Sequence, residues 1–174
     1  KSGKGTLLAI ALSAAAAFGQ GTILWDEAVN GPLSPSFASP TSLGPLNLGD
    51  NFVSGTVSLQ PTKTGWTGTE DHFSFSVPTG TRVSEILLQR DNLIIAWVGN
   101  SGFSTQTAAV SNPTSGELLA QLNIQFVGSG LHGMYISPND LQTYPTTSNY
   151  RLDFVVEAVP EPTSPCLLLG GLGW

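Results

Sequence analysis

Between residues 21 and 158 short apolar and polar runs alternate, separated by clusters of Gly, Pro, Asn and Ser, and no window places apolar residues convincingly at helical spacing. The segment from Asp71 to Val77 shows the pattern best. Phe73, Phe75 and Val77 fall on one side and His72, Ser74 and Ser76 on the other, as in a strand that covers a core with one face. The same reading predicts strands over 22–25, 51–59, 82–89, 93–98, 122–127, 134–137 and 150–157. A Pro-rich loop is expected from 31 to 45, because Pro32, Pro35, Pro40 and Pro45 each remove a ladder donor. Pro78-Thr79-Gly80 supplies a turn, and 115–121 has room for one or two helical turns. About eight short strands with these spacings predict an all-β fold, an antiparallel β-sandwich or jelly roll. Phe73, Phe75, Phe126 and Phe154 are assigned to its core, together with Trp25 and Trp97.

The two ends differ from the body. Lys1 and Lys4 precede an apolar or small-residue run from Leu7 to Phe18, and no acid occurs before Asp26. A cationic head, an apolar stretch too short to span stably and an Ala15-x-Ala17 site, with Ala17-x-Gly19 as the alternative, form the pattern of a secretory signal peptide. The expected organisation is a signal peptide over 1–20, a β-sandwich over 21–158 and a tail over 159–174. At the far end Pro160, Pro162 and Pro165 stop any ladder or helix.

That tail begins Val159-Pro160-Glu161-Pro162 and continues past Cys166 as an apolar stub ending at Trp174. In these residues the chain resembles the bacterial PEP-CTERM family, whose tails join a Val-Pro-Glu-Pro motif to a hydrophobic helix and a terminal Arg cluster. The resemblance implies a Gram-negative source, export, recognition by an exosortase, transient membrane contact through the termini, and sorting to the cell surface or release into extracellular polymer. The stub after Cys166 holds only short apolar sequence, where a spanning helix takes roughly twenty residues, so the expectation is a truncated sorting tail. A second, shorter similarity covers Asp71-x-Phe73-x-Phe75-x-Val77-Pro78-x-Gly80, which looks like the strand and turn of pre-peptidase C-terminal domains. It implies a sandwich accessory of secreted proteins.

Composition narrows the chemistry. Six Lys and Arg stand against twelve Asp and Glu, a net charge of -6, and loss of Lys1 and Lys4 with a signal peptide would leave it near -8. Such a surface is a poor match for nucleic-acid phosphates. One Cys forms no internal disulfide or thiolate cage, and two His fall short of a three-His metal site. No cofactor is assigned; a hard cation such as Ca²⁺ would suit the loop oxygens of Asp26, Glu27, Asp50, Asn51, Asn139 and Asp140, without a defined ligand set.

Glu70, Asp71 and His72 are consecutive, so strand alternation lets Glu70 and His72 converge while Asp71 turns away. An exposed strand start is favoured for them over acid–base chemistry. His132 lies in a Gly-bounded turn or strand edge with no acid beside it in sequence, and the chain has no Gly-x-Ser-x-Gly nucleophile elbow. No catalytic residue is therefore assigned. Trp66, in a Gly- and Thr-rich loop, is the glycan-contact candidate, because sugar C–H faces stack on flat rings. The expected function is that of a non-enzymatic, exported structural or adhesive protein, with a carbohydrate-binding module that retains exopolysaccharide as the alternative.

Overall fold

The computed structural model describes residues 21–92, 94–100, 105–139 and 145–160. The expected signal peptide over 1–20 and the tail from Glu161 onward, including Pro162 and Cys166, lie outside the described residues, as do Leu93, Asp140 and Tyr144. In chain order the elements are β1 (Thr22–Asp26), α1 (Glu27–Asn30), β2 (Thr41–Pro45), β3 (Gly49–Thr62), β4 (Gly65–Thr69), β5 (Asp71–Val77) and β6 (Thr81–Arg90). They continue as β7 (Ile94–Asn100), β8 (Thr105–Ser111), β9 (Gly116–Glu117), α2 (Leu118–Gln121), β10 (Gly130–Pro138) and β11 (Thr146–Ala158). The fold is all-β, as the alternation requires. One six-stranded sheet runs β1-β3-β11-β6-β9 with β4 beside β3, and a five-stranded sheet runs β2-β5-β10-β7-β8.

Alternation decides what enters the space between the sheets. From the six-stranded sheet come Val53 and Val57 of β3, Ile86 and Leu88 of β6, and Leu152, Phe154 and Val156 of β11; from the other come Phe73, Phe75, Ile94, Ala96, Met134 and Ile136. The Phe75 and Phe154 rings meet across the gap at 5.0 Å between centroids, a tilted contact favourable for ring quadrupoles. The inner strands are antiparallel, whereas the edge strands β1 and β2 run parallel to β3 and β5.

Several elements depart from the pattern reading. The loop expected over 31–45 contains β2, because its parallel partner β5 accepts a Pro-bearing strand at the sheet edge. Trp66 sits on β4 opposite Pro61, in a strand and not in a loop. Residues 122–127 form no strand. Glu117 caps α2 by accepting from the backbone N–H groups of Leu119 and Ala120, which turns Leu118 and Leu119 into the interior. Asn123 then takes a left-handed φ of 56°, and Val127 returns only as a single bridge to Val83. Phe126 consequently lies on the surface, 43% exposed, with the Arg82 guanidinium over its ring. Trp97 is on the face of β7 opposite the core residues Ala96 and Val98, so it is not a core residue. Trp25, as expected, packs against the core.

A polar bond also crosses the interior. Tyr150 of β11 donates its hydroxyl to Asp71 Oδ2 of β5 at 2.7 Å, and both side chains are buried. Gly55 is Tyr150's ladder partner, and a Cβ there would stand 2.5 Å from Tyr150 Oη and 2.9 Å from Asp71 Oδ2. Gly55→Ala is therefore expected to lower stability by about 1–3 kcal/mol, read as a reduced urea midpoint at unchanged slope.

Candidate functional site

The titratable residues singled out by sequence separate into three places. Glu70 and His72 do converge: Glu70 Oε2 lies 3.2 Å from His72 Nε2, while Glu70 Oε1 accepts from Tyr135 Oη at 3.0 Å. The His72 and Tyr135 rings meet at 4.6 Å between centroids, tilted by 37°, on the outer face of the five-stranded sheet. His132 is on the inner face of that sheet, opposite Phe75 in the ladder, so the two imidazoles belong to opposite faces and form no dyad. Nε2 of His132 donates to Gly128 O at 2.7 Å and its Nδ1 lies 3.1 Å from Asn100 Oδ1. Burial holds the His132 pKa below the usual imidazole value, with the Gly128 bond opposing in part.

Asp71, which sequence alternation turns away from its neighbours, forms the third place. Burial pushes its carboxyl up to about 7; the Tyr150 bond pulls the other way, and the charge of Glu27 and a hydrogen bond with it push further up. Glu27 also fastens α1 to the sandwich, accepting from Leu33 N at 2.6 Å and Thr56 N at 2.7 Å. This network links Tyr150, Asp71 and Glu27 in the interior.

The exposed polar and aromatic chemistry instead gathers on the outer face of the six-stranded sheet. A cleft of about 390 Å³ is lined by Gly21, Ile23, Trp25, Asp26, Phe52, Ser54 and Arg151. The ladder explains the grouping: Ile23 pairs with Phe52 on one rung, and Asp26, Ser54 and Arg151 form the next across β1, β3 and β11. The Arg151 guanidinium lies 4.0 Å from the Phe52 ring centroid, a cation–π contact that holds its plane. The Phe52 ring in turn leans on Gly21, where a Cβ would fall 2.0 Å from Cε2. Trp25 is fixed by donating Nε1–H to Gly31 O at 3.0 Å. Asp26 caps α1, its Oδ1 accepting from Ala28 N and Ser54 Oγ, each at 3.1 Å.

Trp66 stands apart from this cleft on the β3–β4 hairpin and is 43% exposed. Of the tail motif, Val159 and Pro160 are described, and Val159 N donates to Gly80 O at 2.8 Å. For the cation reading, Asp26 is engaged as a helix cap and Asn51 is buried, donating Nδ2–H to Asn47 O, Gly49 O and Phe154 O. The Asn139 amide bonds to Asn112. Among the described residues no three His, Cys, Asp or Glu side chains come together as a metal site. Sequence reasoning missed Phe52 and Arg151 as site residues. Their signal was present in strand parity, but nothing in the sequence places β3 beside β11.

The Asp71 shift has a definite sign in stability. Its folded pKa, about 7, stands above the ordinary 3.8, so its contribution is fully present below pH 4 and is lost as pH rises toward 7. The loss is on the order of 4 kcal/mol if the whole shift is expressed. Asp71→Asn keeps an acceptor for Tyr150 and a donor toward Glu27 without ionising. The variant is expected to gain stability relative to the parent between pH 4 and pH 8, measured by urea unfolding across that range; a parallel pair of pH profiles would contradict it.

No family model, no curated protein and no solved structure matches this chain.

Proposed function

We propose that this chain is an exported, exosortase-sorted protein of the cell surface or extracellular matrix, with a structural or adhesive role and no catalytic one. The reading is carried by the register of the last strand. β11 pairs with β3 on one side and with β6 on the other, the β6 ladder continuing to Ala158, and the Val159–Pro162 motif starts at the next residue. A sorting enzyme could then cut the tail without disturbing the ladder, and the sandwich would remain as the displayed body. The internal engagement of His72, His132 and Asp71 also favours structure over catalysis. A second reading, a carbohydrate-binding module that holds exopolysaccharide, is favoured by the cleft around Arg151, since a shallow site with aromatic walls and both charge signs suits hydroxylated ligands.

Cell fractionation in a host that carries an exosortase tests the first reading. The parent chain is expected at the surface or in the medium in processed form, whereas Pro160→Ala with Glu161→Ala should accumulate unprocessed in the envelope. Identical mass and location for the two would refute exosortase sorting.

A further inference from the structure

We propose that the cleft between β1, β3 and β11 is a binding site for a neutral glycan, with Arg151 and Asp26 as its polar contacts and Trp25 and Ile23 as its apolar wall. This deepens the carbohydrate-binding reading and rests on it. The charged groups of the cleft are incompletely engaged by their neighbours. Arg151 stacks on Phe52, approaches Asp153 Oδ2 no nearer than 3.9 Å, and donates no hydrogen bond among the described residues. On the same rung, Asp26 uses Oδ1 for Ser54 and the helix cap, and among the described residues its Oδ2 accepts no hydrogen bond. Two opposite charges thus face one cleft across Ser54 without forming an ion pair with each other.

Their separation has a simple cause. β1 and β11 flank β3, so the two backbones are two strand spacings apart, roughly 9–10 Å. The short Asp26 side chain is tied down by its cap, and Arg151 is held over Phe52. A hydroxylated ring fits between them because each hydroxyl both accepts and donates: it takes a hydrogen bond from the guanidinium and gives one to the carboxylate. Ser54 Oγ already donates to Asp26 and keeps acceptor capacity for the same ring. Ile23, 69% exposed on an edge strand, and Trp25 supply the surface on which sugar C–H groups pack. A volume of about 390 Å³ is enough for one or two sugar rings.

The charge balance selects the sugar class. Asp26 lines the cleft with Arg151, Asp153 Oδ2 lies 3.9 Å from the guanidinium, the charge of Asp50 acts on Asp153, and the chain as a whole is acidic. A uronate would gain Arg151 but be repelled by the carboxylates around it, whereas a neutral hexose uses both charge signs. The preference is for neutral exopolysaccharide over acidic.

The test is titration of the purified full chain with short neutral oligosaccharides, gluco-, galacto- and manno-configured, and with an oligogalacturonide, followed by calorimetry and Trp fluorescence. Saturable binding of at least one neutral oligosaccharide is expected, weakened at least about tenfold in Arg151→Gln and in Asp26→Asn. Asn retains the helix cap, so that variant should keep the parental melting curve. Trp66→Ala should bind as the parent does. Binding that survives both cleft substitutions, or that is lost in Trp66→Ala alone, overturns this site while leaving a carbohydrate-binding protein. Tighter binding of the oligogalacturonide overturns the neutral class, and no saturable binding to any neutral probe overturns the inference altogether. Exosortase sorting is read separately by fractionation and is untouched by these outcomes.

Discussion

The hydrogen bond from Tyr150 to Asp71 is the constraint around which the rest of the molecule is arranged. It joins β11, at the centre of one sheet, to β5 in the other, through an interior packed chiefly with apolar side chains. Burying two polar groups is tolerable only because each satisfies the other and Asp71 also meets Glu27. The requirement propagates outward. Gly55 must lack a side chain to admit the Tyr150 ring, and Glu27 extends the network to the backbone of Leu33 and Thr56, which fastens the α1 segment to β3. The sole cysteine, Cys166, lies outside the sandwich sequence, so inter-sheet connection here falls to packing and to this bond.

With Tyr150 and Leu152 turned inward, strand parity leaves no choice for the residue between them: Arg151 faces out. The same rule on β3 puts Phe52 and Ser54 outside while Asn51 and Val53 point in. The cleft is thus the external counterpart of the internal tie, built on the same two strands. A rigid ladder under an exposed site favours ligand binding with little loop ordering. His132 and Asp71 meanwhile act on stability in opposite directions. Burial lowers the imidazole pKa, so its contribution is present above the ordinary value of 6.5 and is lost as pH falls below it; the Asp71 contribution is lost as pH rises.

How far the fold could be read depended on how much each segment owed to its own pattern. The extent of β5, Asp71 to Val77, and its core-facing side are legible from alternation alone, whereas the strand start expected to be exposed is buried at Asp71 and His72. The helical turn within 115–121 was also legible and became α2. Residues 122–127 misled because their apolar content fits a strand, yet the Glu117 cap and the left-handed Asn123 direct Leu118 and Leu119 inward and leave Phe126 to solvent. β2 and β4 were hidden because edge strands need only one partner and so tolerate Pro and Gly.

The sequence by itself determined the all-β class, the burial of Phe73, Phe75 and Phe154, and the convergence of Glu70 with His72, since each follows from period-two alternation within one strand. Only the tertiary structure decided that Asp71 meets Tyr150, that His72 and His132 occupy opposite faces, and that Asp26, Ser54 and Arg151 share a rung. Those relations depend on which strands become neighbours. That choice is made by the summed burial of whole faces and by the room at Gly55, quantities that no local window of the chain contains.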